Sequence, residues 1–304
     1  MNHQQYANYR PVFILCPGRS FSSVVCGMLG QHPELYGLPE TNFFVADTVR
    51  GIFQHFAGPK DRHRIDGLVR ALAQLHDGDQ TEATAEQAWQ WLRDRPDMPT
   101  RDLAWHVAMH GSHRQIVEKS PSNCAEPAHL ARLYRTFPSA RFLHLLRHPY
   151  SSGKSLYELH DKKNAKRFLN VALPDSRRIE KYWLKVHRHI LHFTERLPVG
   201  QSIRLQGELL LADPDRYLHQ IAEWLEIRND SDAIKAMKHP ENSPFARVGP
   251  NNAQGGNDHK YLKDPYLRIS KPSSVNLSDP LEWMSDGSRF GSATIALAQQ
   301  FGYR

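Results

Sequence analysis

Gly18-Arg19-Ser20-Phe21-Ser22-Ser23 sets a glycine, one arginine and several hydroxyls directly behind the apolar run Val12-Phe13-Ile14-Leu15 and the pair Cys16-Pro17. A small, hydroxyl-rich turn that leaves a strand and enters a helical pattern is built to hold an anion. A helix starting at Ser22 or Ser23 leaves the backbone N–H groups of residues 20 to 23 without partners in the helix, and the helix dipole adds positive potential at the same point. A phosphate or sulfate fits that hole, so this loop alone admits ATP, a dinucleotide or a sulfate.

The composition agrees with an anionic ligand. Over 304 residues, 39 Lys and Arg stand against 32 Asp and Glu, a formal charge of +7. That excess favours an anionic partner. No Lys/Arg block with interleaved aromatics occurs, which argues against nucleic acid. Cys16, Cys26 and Cys124 lack CxxC spacing and leave an odd count, so they read as small buried residues and not as a disulfide scaffold. His187-Arg188-His189 with His192 reads as a solvated helix face, and no HExxH or similar spacing is found, so no metal is expected. Met1-Asn2-His3-Gln4-Gln5 has no apolar signal core and no run approaches membrane-spanning length, which makes a reducing, cytoplasmic location the expectation.

The length suits one α/β domain with embellishments. Gly30 fits a helix C-terminus and Gln31-His32-Pro33 ends the first helix, after which residues 35 to 40 lead into a second one. From about 45 to 110 the pattern is helical and aromatic, with Phe43 and Phe44 just before it and Phe53, Phe56, Trp89, Trp91 and Trp105 within it. This predicts a helical cap whose aromatics fill a core or line an acceptor site. Strand patterns at 115–118, 141–146 and 202–205 alternate with helical ones at 125–137, 150–160, 176–197 and 214–226, which predicts a parallel sheet flanked by helices. Residues 242 to 268, rich in Asn, Gly and Pro, form a long loop of the kind that covers a site, and a helical pattern returns through Ile295, Leu297, Ala298 and Phe301.

A nucleotide-hydrolase P-loop carries a lysine before its hydroxyl residue, and none precedes Ser22. The loop instead resembles the 5′-phosphosulfate loop of the sulfotransferases, whose usual form is proline-arginine-serine-glycine-threonine-threonine; Phe21 stands where that family has glycine. Further segments carry the resemblance in chain order: Gln31-His32-Pro33 through Glu40-Thr41, Val117-Glu118-Lys119-Ser120-Pro121, and Arg141 through Arg147-His148-Pro149 with Ser155 beyond. Gly207-Glu208-Leu209-Leu210-Leu211-Ala212-Asp213-Pro214 is similar to the tyrosine-glutamate-aspartate-leucine segment, with Gly207 in the tyrosine's place, and Gly255-Gly256-Asn257-Asp258-His259-Lys260 resembles the late loop of bacterial members.

The resemblance implies a P-loop-like α/β fold and transfer of a sulfuryl group from 3′-phosphoadenosine 5′-phosphosulfate to an acceptor hydroxyl, without a metal. Gly18 through Ser23 would hold the phosphosulfate. Arg147, with a guanidinium fork suited to phosphate, and Ser155 would hold the 3′-phosphate, with Arg247 and Lys260 as added phosphate contacts. Lys119 would bridge the leaving phosphate, Arg19 would stabilise its charge, and Glu40, which lies 21 residues after Arg19 as in tyrosylprotein sulfotransferases, would be the general base. The tail from Pro280 to Tyr303 is similar to sulfotransferase domains of polyketide assembly lines. The acceptors implied are a small alcohol, a lipid-like or carrier-bound hydroxyacyl group, or a phenol. A P-loop kinase and a non-catalytic nucleotide-binding protein are the alternatives from other classes.

Overall fold

An all-apolar run such as Val12–Leu15 has no face to turn to water, and it forms the central strand, β1, of a five-stranded sheet. The computed structural model describes residues 9–110, 114–165, 176–269, 275–284 and 287–304; the segment Met1 to Gln5 lies outside the described residues. The other strands are β2 (Leu35–Gly37), β3 (Gln115–Glu118), β4 (Arg141–Leu146) and β5 (Ser202–Gln206), in the order β2-β3-β1-β4-β5. Every neighbouring pair is parallel, with Val12 opposite both Val117 and Arg141.

Side chains alternate across β1, and each face seeds its own core. Phe13 and Leu15 pack on one side with Phe142 and with the helices that separate β2 from β3: α2 (Val49–His55), α3 (Asp66–Asp77), α4 (Glu82–Arg93) and α5 (Thr100–His110). Val12 and Ile14 pack on the other side against α1 (Ser22–Leu29) and, further along the chain, α10 (Pro214–Leu225) and α11 (Ser231–Met237). The remaining helices are α6 (Pro127–Thr136), α7 (Pro149–Ala165), α8 (Ser176–Thr194), α9 (Gly207–Ala212), α12 (His259–Lys263) and α13 (Ser292–Gln300). No helix among the described residues is long and apolar enough to cross a membrane.

Three local readings change. Residues 35 to 40 begin with the edge strand β2 and not with the approach to a helix. Gly30 caps α1 with a right-handed φ of −66°, so its lack of a side chain serves a close approach instead: a Cβ there would lie 2.6 Å from Gly37 Cα. His187 is fully buried and hydrogen-bonds His144 at 2.9 Å, while Arg188 and His192 keep the solvated face.

β1 lies between β3 and β4: the chain leaves it for β2 and β3 on one side and then crosses over to β4 and β5 on the other. In open parallel sheets the carboxyl ends of the strands at such a reversal frame the ligand site. The turn after β1, Lys119 after β3 and Arg147 after β4 all stand at that edge, with Glu40 three residues beyond β2.

Candidate active site

The turn after β1 is held by backbone geometry more than by side chains. Arg19 and Phe21 are both left-handed, with φ of 70° and 63°. Alternation of left-handed residues with their neighbours is how backbone N–H groups form an anion-binding concavity. α1 begins at Ser22 and its first bond runs from Val25 N–H to Phe21 C=O at 3.1 Å, which leaves the preceding N–H groups without intrahelical acceptors. Ser20 Oγ is buried with no hydrogen-bond partner among the described residues, and an oxyanion in the concavity would satisfy it. Gly18 N–H donates to Tyr182 Oη at 2.9 Å, which ties the turn to α8.

Two guanidinium groups border this turn. Arg19 Nε donates to Ser155 Oγ at 3.0 Å, and its Nη1 pairs with Asp258. Arg147 Nη1 donates to the Arg19 carbonyl at 2.7 Å and its Nε to Ser151 Oγ at 3.1 Å. Burial lowers both from the usual arginine range, Arg147 to about 10. Ser155 therefore meets Arg19, and the hydroxyl that meets Arg147 is Ser151, one helical turn along α7.

Lys119 is fully buried, and its ammonium reaches three oxygen atoms: Glu40 Oε1 at 2.8 Å, Ser23 Oγ at 3.1 Å and the Gly256 carbonyl at 3.5 Å. A buried ammonium requires such a set, because it has three donors and a large desolvation cost. The Glu40 carboxylate is 31% exposed, so one side faces the ammonium while the group stays open to the cavity. Behind the pair, the buried Glu118 carboxylate accepts from Thr41 N–H at 3.2 Å, Thr41 Oγ1 at 3.0 Å, Ser120 N–H at 3.0 Å and Asn123 Nδ2 at 2.8 Å. Glu118 thus pins the segment that carries Glu40 to the strand end that carries Lys119. Gly67 of α3 completes the seat, since a Cβ there would lie 2.0 Å from the Glu40 carbonyl oxygen.

The turn, Glu40 and the two arginines open on one cavity of about 890 Å³, lined by Gly18 through Val24, Glu40, Arg147, Ser155 and Tyr182 among others, while Lys119, fully buried behind Glu40, does not line it. Its apolar wall includes Leu156, Leu159, Leu211 and Tyr261. Asp66 also faces it, accepting from Gly255 N–H at 3.0 Å, and burial raises its carboxyl to about 6. A smaller cavity of about 390 Å³ adjoins along α7 and shares Arg147, Ser155 and Lys260. Lys260 pairs there with Glu158 at 2.9 Å. Arg247 does not join the site: its guanidinium is 63% exposed, pairs with Asp79 at 3.0 Å, and lines neither cavity. The aromatics of the α2–α5 region also stay away from the cavity. Phe43, Phe44, Phe56 and Trp89 are buried in the core, with Phe53, Trp91 and Trp105 packed against it.

Sequence reasoning missed Ser151, Asp258, Tyr182 and Glu118. The spacing of Ser151 and Ser155, one turn apart on a helix, was the available signal for Ser151. Asp258 and Tyr182 join the loop across 239 and 164 residues, and nothing local announces them.

The family model described as the sulfotransferase family matches residues 11–232. No curated protein matches the chain. Among solved structures, a sulfotransferase domain from the curacin biosynthetic pathway superposes with a TM-score of 0.74 at 22% identity, over 97% of this chain and 98% of that one. A sulfotransferase domain from the Synechococcus PCC 7002 olefin synthase gives a TM-score of 0.73 at 24% identity, over 100% of this chain and 99% of that one. The family match spans the turn after β1, Glu40, Lys119 and Arg147 together, and the two structures share the fold from end to end: the chain belongs to the sulfotransferase family.

Proposed function

We propose that the chain transfers a sulfuryl group from 3′-phosphoadenosine 5′-phosphosulfate to an acceptor hydroxyl in a single in-line displacement. The observation that carries this reading is the placement of Lys119, whose one ammonium touches both Ser23 of the anion-binding turn and the Glu40 carboxylate. The donor nucleotide supplies an activated sulfur–oxygen bond when bound. That bond breaks as the acceptor oxygen bonds to sulfur, and the bisphosphate nucleotide leaves.

The residues divide the work by position. Gly18, Ser20, Phe21, Ser22 and Ser23 supply the concavity for the phosphosulfate, and Arg19 adds charge to its rim. Arg147 from the end of β4, Ser155 from α7 and Lys260 from the late loop face the 3′-phosphate. Glu40 takes the acceptor's proton. In the resting site Lys119 is shared between Glu40 and the loop; once Glu40 is protonated its pull weakens, and the ammonium is released toward the oxygen on which charge develops.

The catalytic unit is the whole chain. The helices between β2 and β3 act as its cap, and residues 242 to 268 fold over the donor. The acceptor is a small alcohol, a lipid-like or carrier-bound hydroxyacyl group, or a phenol, and the apolar wall of Leu156, Leu159, Leu211 and Tyr261 supports an acceptor with hydrocarbon next to its hydroxyl. The buried, unpaired Cys16, Cys26 and Cys124 support action in a reducing cytoplasm.

The test is Glu40→Gln. Turnover falls about 10²-fold to 10⁴-fold, the range for losing a positioned base, while calorimetry finds adenosine 3′,5′-bisphosphate still bound. Retained turnover removes Glu40 from the mechanism. Tight binding of ATP and magnesium without binding of the bisphosphate would favour a kinase.

A further inference from the structure

Phe21 is one of four non-glycine described residues with a left-handed backbone, and it is the bulkiest of them. A large side chain at φ 63° persists only where its surroundings fix it. Two contacts do so. The ring lies against the Arg147 guanidinium, whose central carbon is 4.1 Å from the ring centroid. On its edge the ring fills the space beside Gly207, where a Cβ would lie 2.7 Å from Phe21 Cδ2 and 3.2 Å from the Leu146 carbonyl oxygen. Position 207 therefore admits no side chain while the ring is in place.

Arg147 is held by two hydrogen bonds and one ring contact. Nε is bonded to Ser151 and Nη1 to the Arg19 carbonyl, and the ring supports one face. Neither of those bonds uses Nη2. The group is half-buried, and attraction between a guanidinium and an aromatic face strengthens as water is excluded.

We propose that Phe21 is a positioning residue for recognition of the donor's 3′-phosphate: its ring is the platform that fixes the Arg147 fork, and Gly207 is the space that lets the ring sit there. This rests on the reading of Arg147 as a phosphate-binding residue. The ring enters the phosphosulfate turn from one side and meets Arg147 on the other, so a single side chain links the two anion-binding ends of the site.

The experiment compares adenosine 3′,5′-bisphosphate with adenosine 5′-monophosphate by calorimetry for the wild type, Phe21→Gly, Phe21→Tyr and Gly207→Ala. Glycine adopts the left-handed backbone without strain, so Phe21→Gly keeps the turn. The preference for the bisphosphate falls about fivefold to tenfold in Phe21→Gly, as loss of a partly desolvated cation–aromatic contact predicts. It survives in Phe21→Tyr. Gly207→Ala lowers it as well, and most of that effect disappears when Phe21→Gly is also present, because the shortest clash is with the ring. A wild type that prefers the bisphosphate, with Phe21→Gly weakening both nucleotides equally or neither, overturns the role of Phe21 alone. A wild type with no preference overturns the assignment of Arg147 and this proposal with it.

Discussion

On the proposed reading, Asp258, which pairs with Arg19, competes with the bound phosphosulfate for that guanidinium. Its Oδ1 accepts from Lys260 N–H at 2.7 Å and caps α12, its backbone N–H donates to Ser23 Oγ at 3.0 Å, and its Oδ2 pairs with the Arg19 guanidinium. Asp258→Asn keeps an oxygen for the helix cap and removes one negative charge beside the turn. A carboxylate and a phosphate that flank one guanidinium are about 6 Å apart, and at an effective dielectric constant near 20 like charges at that distance repel by roughly 3 kcal/mol. The Arg19 and Asp258 side chains are 11% and 23% exposed, so solvent screens part of this repulsion. Against it, the variant also loses the charge that holds the guanidinium in place. A net gain of about 1–2 kcal/mol remains, or roughly fivefold to thirtyfold tighter binding of adenosine 3′,5′-bisphosphate by calorimetry. The gain shrinks as ionic strength rises. Unchanged or weaker binding would refute the view that Asp258 and the nucleotide's 5′-phosphate share Arg19.

Gly67→Ala forces a methyl group to within 2.0 Å of the Glu40 carbonyl oxygen unless α3 or the Glu40 segment moves; thermal unfolding should show a loss of about 1–3 kcal/mol, with kcat reduced more than donor affinity. The His144–His187 pair predicts acid sensitivity. Burial holds both rings neutral in the folded protein, His187 down to about 3 and His144 also far below the usual histidine range. Below about pH 6.5 the unfolded chain takes up protons that the folded chain refuses, so stability falls as pH drops, by roughly 2 kcal/mol for His187 between pH 7 and pH 5, with His144 acting in the same direction. Asp66, raised to about 6, works in the opposite direction over its own range and offsets part of this. Urea midpoints across that range measure the slope, and His187→Phe should flatten it.

The parts of the site written in local sequence were legible. The turn after β1 shows itself by small residues between an apolar strand and a helix, and alternating strand and helix patterns imply the parallel sheet that brings Lys119 and Arg147 to one edge. What stayed hidden depends on tertiary contact. β2 is three residues at the sheet edge, too short for a periodic signal. His187 looks like its solvated neighbours until β4 is placed against α8 and His144 is found opposite. Arg247 stands in the late loop as a phosphate ligand would, but the loop's path turns it outward to Asp79. Phe21 and Gly207 each look like a departure from the family pattern, and only their contact makes them one feature.

Transfer itself is the most direct test of the central claim. With sulfur-labelled 3′-phosphoadenosine 5′-phosphosulfate and a panel of alcohols, phenols, sugars and carrier-bound hydroxyacids, the wild type should move label onto at least one acceptor and release one bisphosphate nucleotide per label moved, and Glu40→Gln should do neither at a comparable rate. Absence of labelled product from every acceptor, with the bisphosphate still bound by the protein, would contradict the catalytic reading and leave a nucleotide-binding protein in its place.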